Sequence, residues 1–209
     1  MKPFVIGICG GSGSGKTTLL KKLSNFYGHA EVSVLTMDNY YLPIEEQIKD
    51  ENGVVNFDLP SALNETQLCS DLEQIVNGNT IEVKEYFFNS PPNKNVLLSI
   101  LPKKIIIVEG LFVFHYPKVI SLIDFSIFVE VDASTQLDRR IYRDQDSRGY
   151  SQQDIIYQWN NHVIPCYENY ILPYKFDADF VYRNDINSEE DFSALTTGLL
   201  KNRKLINEG

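Results

Sequence analysis

The chain has 209 residues, 43% of them apolar, and a formal net charge of −9. That apolar share is ample for the core of one α/β domain, and the acidic balance argues against a nucleic-acid binder, which needs a basic face. Cys9, Cys69 and Cys166 show neither disulfide nor metal-ligand spacing, the N-terminal apolar run is too short for a signal peptide, and no stretch is long enough to span a membrane, so a reducing cytoplasm is the expected location.

An apolar strand over Phe4–Cys9 runs into Gly10-Gly11-Ser12-Gly13-Ser14-Gly15-Lys16-Thr17-Thr18 and then into a helical pattern over Thr17–Tyr27, with Gly28 as its C-cap. This is the phosphate-cradling P-loop, G-x-x-x-x-G-K-[ST], in the strand–loop–helix context it requires. Gly10, Gly11, Gly13 and Gly15 lack a Cβ, so the backbone can turn its N–H groups inward as an anion nest, and the helix start adds its positive dipole end. Ser12 and Ser14 complete the nucleotide-binding loop. Lys16 should reach the β- and γ-phosphates, Thr17 should place its hydroxyl on Mg²⁺, and Thr18 should donate to a phosphate oxygen. The expected ligand is a nucleoside triphosphate.

A second strand, Glu31–Thr36, leads to Asp38, which falls at a strand's carboxyl end near the γ-phosphate. There it can accept the proton of an attacking hydroxyl and help hold Mg²⁺; the plainer alternative is a turn-capping Asp. Asp58, in Asn56-Phe57-Asp58-Leu59-Pro60, could accept hydrogen bonds from sugar hydroxyls or simply shape a turn. A helix is expected over Glu65–Val76. Thr80–Phe88 and Val96–Leu101 read as a β-hairpin insertion joined by Asn89–Asn93. Tyr40, Tyr41, Tyr86, Phe87, Phe88 and Trp159 could stack a flat ring, although aromatics more often serve the core. Ile105–Val108 followed by Glu109-Gly110 is a Walker-B-like strand whose acid would hold Mg²⁺ directly or through water.

After a strand over Phe125–Val131, a helix over Thr135–Asp144 carries Arg139, Arg140 and Arg143 on one face, with Arg148 in a following loop. Guanidinium groups converging on a γ-phosphate would neutralise charge during transfer; otherwise they pair with Asp138, Asp144 and Asp146 on a solvated face. Helices over Asp154–Val163, opened by Ser151, and over Glu189–Leu200, capped by Ser188, flank a last strand at Ala178–Tyr182. His29, His115 and His162 are far apart and read as ordinary polar or half-buried residues. The whole is expected to be one P-loop NTPase domain over 1–209. It would have a parallel sheet of about five strands flanked by helices, the hairpin at about 80–101 and an arginine-bearing lid at about 138–165.

In order, Gly10–Thr18, Asp38-Asn39-Tyr40-Tyr41, Asn56-Phe57-Asp58-x-Pro60, Val108-Glu109-Gly110, and Arg140-x-x-Arg143-Asp144 with Arg148-Gly149 resemble the uridine kinase and phosphoribulokinase group of P-loop kinases, uridine kinases most of all. The resemblance implies transfer of the γ-phosphoryl group of ATP or GTP to the 5′-hydroxyl of a nucleoside, uridine or cytidine first. It implies Asp38 as general base, with Lys16, Arg143 and Arg148 at the phosphates, and Thr17, Glu109 and Asp38 around Mg²⁺. Asp58, Tyr41, Tyr86, Phe88, Arg140 and Gln158 would bind the acceptor, and a homo-oligomer is expected. Departures fall on the acceptor side: Tyr86-Phe87-Phe88 replaces Tyr-Asp-Phe, the His and Arg that should follow are absent, Leu59 and Ser61 stand in an Asp-His-Pro-Asp pattern, and Tyr150 replaces an Arg. A kinase of nicotinamide riboside or another small alcohol is therefore the nearest rival, and a silent nucleotide-binding regulator the rival of a different class.

Overall fold

Unbroken apolar runs make the central strands. In a computed structural model, which describes residues 2–87 and 96–208, the elements in chain order are β1 (Phe4–Gly10), α1 (Lys16–Tyr27), β2 (Val32–Thr36), α2 (Glu65–Val76), β3 (Ile81–Lys84), β4 (Leu97–Ile100), β5 (Ile105–Gly110), α3 (Pro117–Ile120), β6 (Phe125–Glu130), α4 (Ala133–Arg148), α5 (Gln152–Gln158), α6 (Ile164–Cys166), β7 (Phe180–Arg183) and α7 (Ser188–Glu208). Five strands pair in the order β2-β5-β1-β6-β7, parallel throughout. Every residue of β1 and β5 is buried, because helices cover both faces.

Period-two alternation sorts these runs into two cores. Val5, Cys9, Ile106, Val108 and Phe128 pack beneath α2 and α3, while Phe4, Ile6, Ile8, Ile105, Ile107 and Ile127 pack against α1 and α7 through Leu19, Leu23, Leu195 and Leu199. The three cysteines are buried free thiols.

β1 leads through α1 to β2 at one edge, whereas β5 leads across β1 to β6 on the other side. Chain direction thus diverges between the neighbours β5 and β1, and the crevice beyond their carboxyl ends is where such sheets bind ligands.

Several expectations need correction. β5 runs through Gly110, so Glu109 lies inside the ladder, paired in register with Ile8 and Thr36, rather than beyond it. Helix α4 starts after Asp132, whose carboxylate accepts from the Thr135 N–H, and it continues to Arg148; that arginine is helical, and Gly149 in the left-handed region ends the helix. Ser188 is the first residue of α7, not its cap. The helix after Ser151 continues past Val163. A wide π turn at Trp159–Val163 joins α5 to α6, a second at Tyr167–Ile171 follows α6, and Pro165 is accommodated beside the first, where the Ile164 N–H reaches the Trp159 carbonyl. The hairpin insertion is present as β3 and β4, shorter than expected; Phe88 and the Asn89–Asn93 connection lie outside the described residues.

Candidate active site

The loop after β1 holds two glycines that no other residue can replace without strain. Gly13 and Gly15 have φ of 78° and 97°. A Cβ on Gly13 would stand 2.5 Å from the Gln136 carbonyl oxygen. The loop is held from outside by Asn184, which donates to the Ser14 carbonyl at 2.7 Å, and by Arg139, which donates to the Gly13 and Ser14 carbonyls. Ser12, Gly13, Gly15, Lys16, Thr17 and Thr18 face a cleft of about 240 Å³. Gly10, Gly11 and Ser14 do not line this cleft. Lys16 is buried and donates to the Gly11 carbonyl at 3.0 Å, so its ammonium is held within the loop, where a phosphate's charge is best met.

Asp38 projects into this cleft because its neighbours are anchored. It sits in a 3₁₀ turn, Met37–Tyr40, directly after β2. Met37 is buried against Gly110, which has no room for a Cβ, and the Tyr40 hydroxyl donates to Asp71 at 2.9 Å. With residues 37 and 40 turned inward, Asp38 is left exposed on the cleft side.

Glu109 forms the floor. It is 5% exposed, accepts a hydrogen bond from Thr17, and burial lifts its pKa to about 7 against the pull of Lys16, with Asp38 adding to the rise. A buried carboxyl beside a second carboxyl and a Thr hydroxyl is an all-oxygen donor set. It fits Mg²⁺, which takes one or two carboxylates and fills the rest of its shell from phosphate and water. A stability consequence follows. The native state holds Glu109's proton to a higher pH than the unfolded chain does, so stability should fall as pH rises from about 4.5 to about 7. The loss is on the order of 3 kcal/mol. Urea unfolding across that range in metal-free buffer should show the slope in the native chain and lose it in Glu109→Gln.

At the other end, Asp58 and Arg140 are buried together, with Nη1 3.5 Å from Oδ1. Arg140 also donates to the Ser12 hydroxyl and to Gln158 Oε1, both at 3.1 Å. One guanidinium therefore links the phosphate loop to Asp58 and Gln158. Arg140 is buried and the Arg148 side chain is 18% exposed, whereas the Arg143 side chain is 40% exposed and Arg139 is exposed. Asp144, fully buried, meets Arg143 Nε at 2.8 Å and Arg140 Nε and Arg148 Nη1 at 3.3 Å. Burial, then the like charge of Arg143, lowers the pKa of Arg148 from its ordinary value; the shared carboxylate is what lets the three crowd together. Arg139 diverges toward the loop carbonyls and is not part of this group.

The model of the Phosphoribulokinase / Uridine kinase family matches residues 5–187. The chain belongs to that family. It is 36% identical over 185 residues to a uridine kinase of Clostridium botulinum, covering 86% of this chain and 87% of the relative. It is 31% identical over 179 residues to uridine-cytidine kinase B of Dictyostelium discoideum, covering 86% and 74%. Among solved structures, a putative fructose transport system kinase from Silicibacter superposes with a TM-score of 0.67 at 18% identity over 87% and 90% of the two chains. The phosphoribulokinase of Rhodobacter spheroides does so at 0.63 and 16% over 87% and 70%. These structures share the P-loop kinase fold.

Within this phosphoribulokinase/uridine kinase chain, the cleft gathers Asp38, Tyr41, Asp58, Glu109, Arg140, Arg143, Arg148 and Gln158 beside the loop. Tyr86 is set behind Tyr41, ring centroids 5.3 Å apart, with its N–H donating to Asn39. Phe88 is outside the described residues. Sequence reading missed Asp144 as the hub of the arginines; only its place four residues after Arg140 and four before Arg148 hinted at it. It also missed His162, which is not half-buried but 2% exposed and part of the cleft wall. No helix among the described residues is long and apolar enough to cross a membrane.

Proposed function

We propose that this protein is a nucleoside kinase that moves the γ-phosphoryl group of ATP or GTP to the 5′-hydroxyl of uridine or cytidine. The observation that carries the reading is one cleft lined by a backbone phosphate cradle, by Asp38, and by buried Asp58 and Arg140 with half-buried Gln158. Relatives named uridine kinase, at about a third identity over most of both chains, support the acceptor assignment.

The loop N–H groups and Lys16 bind the triphosphate tail, and Asp58 accepts from a sugar hydroxyl, which orients the nucleoside. Asp38 takes the proton of the 5′-hydroxyl as its oxygen bonds to the γ-phosphorus and the bond to the leaving nucleoside diphosphate breaks. Arg143 and Arg148, on the lid formed by α4 and α5, meet the charge on the moving group, and lid closure keeps water out. Thr17 and Glu109, with Asp38 alongside, would hold Mg²⁺, which would supply charge neutralisation at the triphosphate.

Release of ADP or GDP with a panel of acceptors tests the proposal. Turnover should require a nucleoside and be fastest with uridine or cytidine. Fastest turnover with nicotinamide riboside or a non-nucleoside alcohol would overturn the acceptor assignment; triphosphate binding with no turnover on any acceptor would overturn the kinase itself.

A further inference from the structure

One wall of the acceptor end is built by a side chain to which the foregoing mechanism gives no part. His162 lies in the π turn Trp159–Val163, a widening of the helix of the kind often found at functional sites. The turn brings it onto the wall that also carries Gln158, which is tied to Arg140, while Cys166, one turn further on, feels the charge of Asp58. His162 therefore stands on the helix between two residues that address the Asp58 end of the cleft, and it lines that cleft itself.

One of its ring nitrogens has a defined partner. Nε2 is 2.8 Å from Asp50 Oδ2, which also accepts from the Tyr157 hydroxyl at 2.7 Å. Asp50 Oδ1 accepts from the backbone N–H groups of Asn52 and Val54, each at 2.9 Å. Burial works against the Asp50 carboxylate, but these hydrogen bonds outweigh it and draw its pKa to about 2. An ionised carboxylate has no proton to give, so Nε2 is the donor of this bond, and in that tautomer Nδ1 is an acceptor. Asp50 also pins the turn that leads into Val55, Phe57 and Asp58 against the histidine's helix, so ring and Asp58 are held in fixed relation.

We propose that His162 is a specificity-determining residue of the acceptor site, its Nδ1 accepting a hydrogen bond from a ribose hydroxyl while Asp58 accepts from the neighbouring one. The two acceptors would read a vicinal diol, one oxygen each. The inference rests on the nucleoside-kinase reading. A buried acceptor left without its donor penalises an analogue that lacks the hydroxyl.

The test is the ratio of kcat/KM for uridine to that for 2′-deoxyuridine and for 3′-deoxyuridine, in the native chain and three variants. A ratio within one protein is insensitive to partial loss of active enzyme. In His162→Gln the side-chain amide reaches the place of Nε2 and keeps the bond to Asp50, but nothing stands at Nδ1. In His162→Asn the amide stands at Nδ1 and the bond to Asp50 is lost. His162→Phe keeps the bulk of the ring without either nitrogen. The native chain is expected to prefer uridine over one of the deoxy analogues by about tenfold or more; the Gln and Phe variants should lose about tenfold of that preference, and the Asn variant should keep it. Any other pattern among active enzymes, including equal ratios throughout or loss in the Asn variant as well, overturns the inference alone. A native chain that phosphorylates no ribonucleoside overturns the nucleoside reading and this inference together.

Discussion

Asp38→Asn should lower kcat by about 10²–10⁴-fold, the usual contribution of a positioned general base. The substitution keeps the side chain's size and removes its capacity to take a proton. Because Asp38 is exposed on the cleft side of its turn, folding stability should change by no more than about 0.5 kcal/mol, so the loss of rate cannot be ascribed to unfolding. The anchors of the turn, Met37 against Gly110 and Tyr40 on Asp71, are untouched. KM for uridine should move far less than kcat, since the proton is transferred only as the new bond forms. Initial rates of ADP release at saturating uridine and ATP, beside a urea melt of each protein, make the measurement. Native turnover in the variant would remove Asp38 from the proton-transfer step.

The second large effect is expected at a residue that touches no substrate. Asp144→Ala takes away the carboxylate shared by Arg140, Arg143 and Arg148 and leaves three neighbouring guanidinium groups with less opposing charge, Arg140 keeping Asp58. Removing one partner of a buried ion pair costs about 3–5 kcal/mol, and the 0% exposure of Asp144 puts this site in that class. The midpoint of urea unfolding should fall accordingly. Catalysis should suffer too, because Arg140 would no longer be held between the Ser12 hydroxyl and Gln158, and Arg148 would lose its support beside the cleft. A variant with native stability would show that the arginines are adequately solvated and that Asp144 is no hub. Double-mutant cycles of Asp144→Ala with Arg143→Ala and with Arg148→Ala would apportion the coupling, which the shared carboxylate makes non-additive.

Much of the site was legible because it is local in the chain. The phosphate loop needs glycines at positions with positive φ, a lysine and a hydroxyl in one short run, and the structure shows Gly13 and Gly15 in those conformations with Lys16 and Thr17 directly after them. Asp38 and Glu109 were found for a related reason: each lies at the carboxyl end of an apolar run, and parallel strands bring such ends together. The arginines read as guanidinium groups converging on a phosphate, with a solvated face as the alternative. Helical spacing places Arg139, Arg140 and Arg143 near one another, yet it does not say which of them turns toward the loop carbonyls and which toward Asp144. A boundary was missed where a distant segment supplied the pairing, as at Glu109 within its ladder, and another where a local π turn carried the helix past Pro165.

By itself the sequence determined the sheet, through apolar runs too continuous for one-sided burial, and the phosphate cradle, through residues that act on their immediate backbone. Tertiary structure alone decided the end of the cleft away from the phosphate loop. Asp58, Arg140, Gln158, Asp50 and His162 come from segments up to 112 residues apart, and each side chain's direction is set by what the others accept or donate. The physical reason is that a buried polar group must find its partner wherever the fold brings one, so its role is fixed by contacts across the chain rather than by its neighbours in sequence.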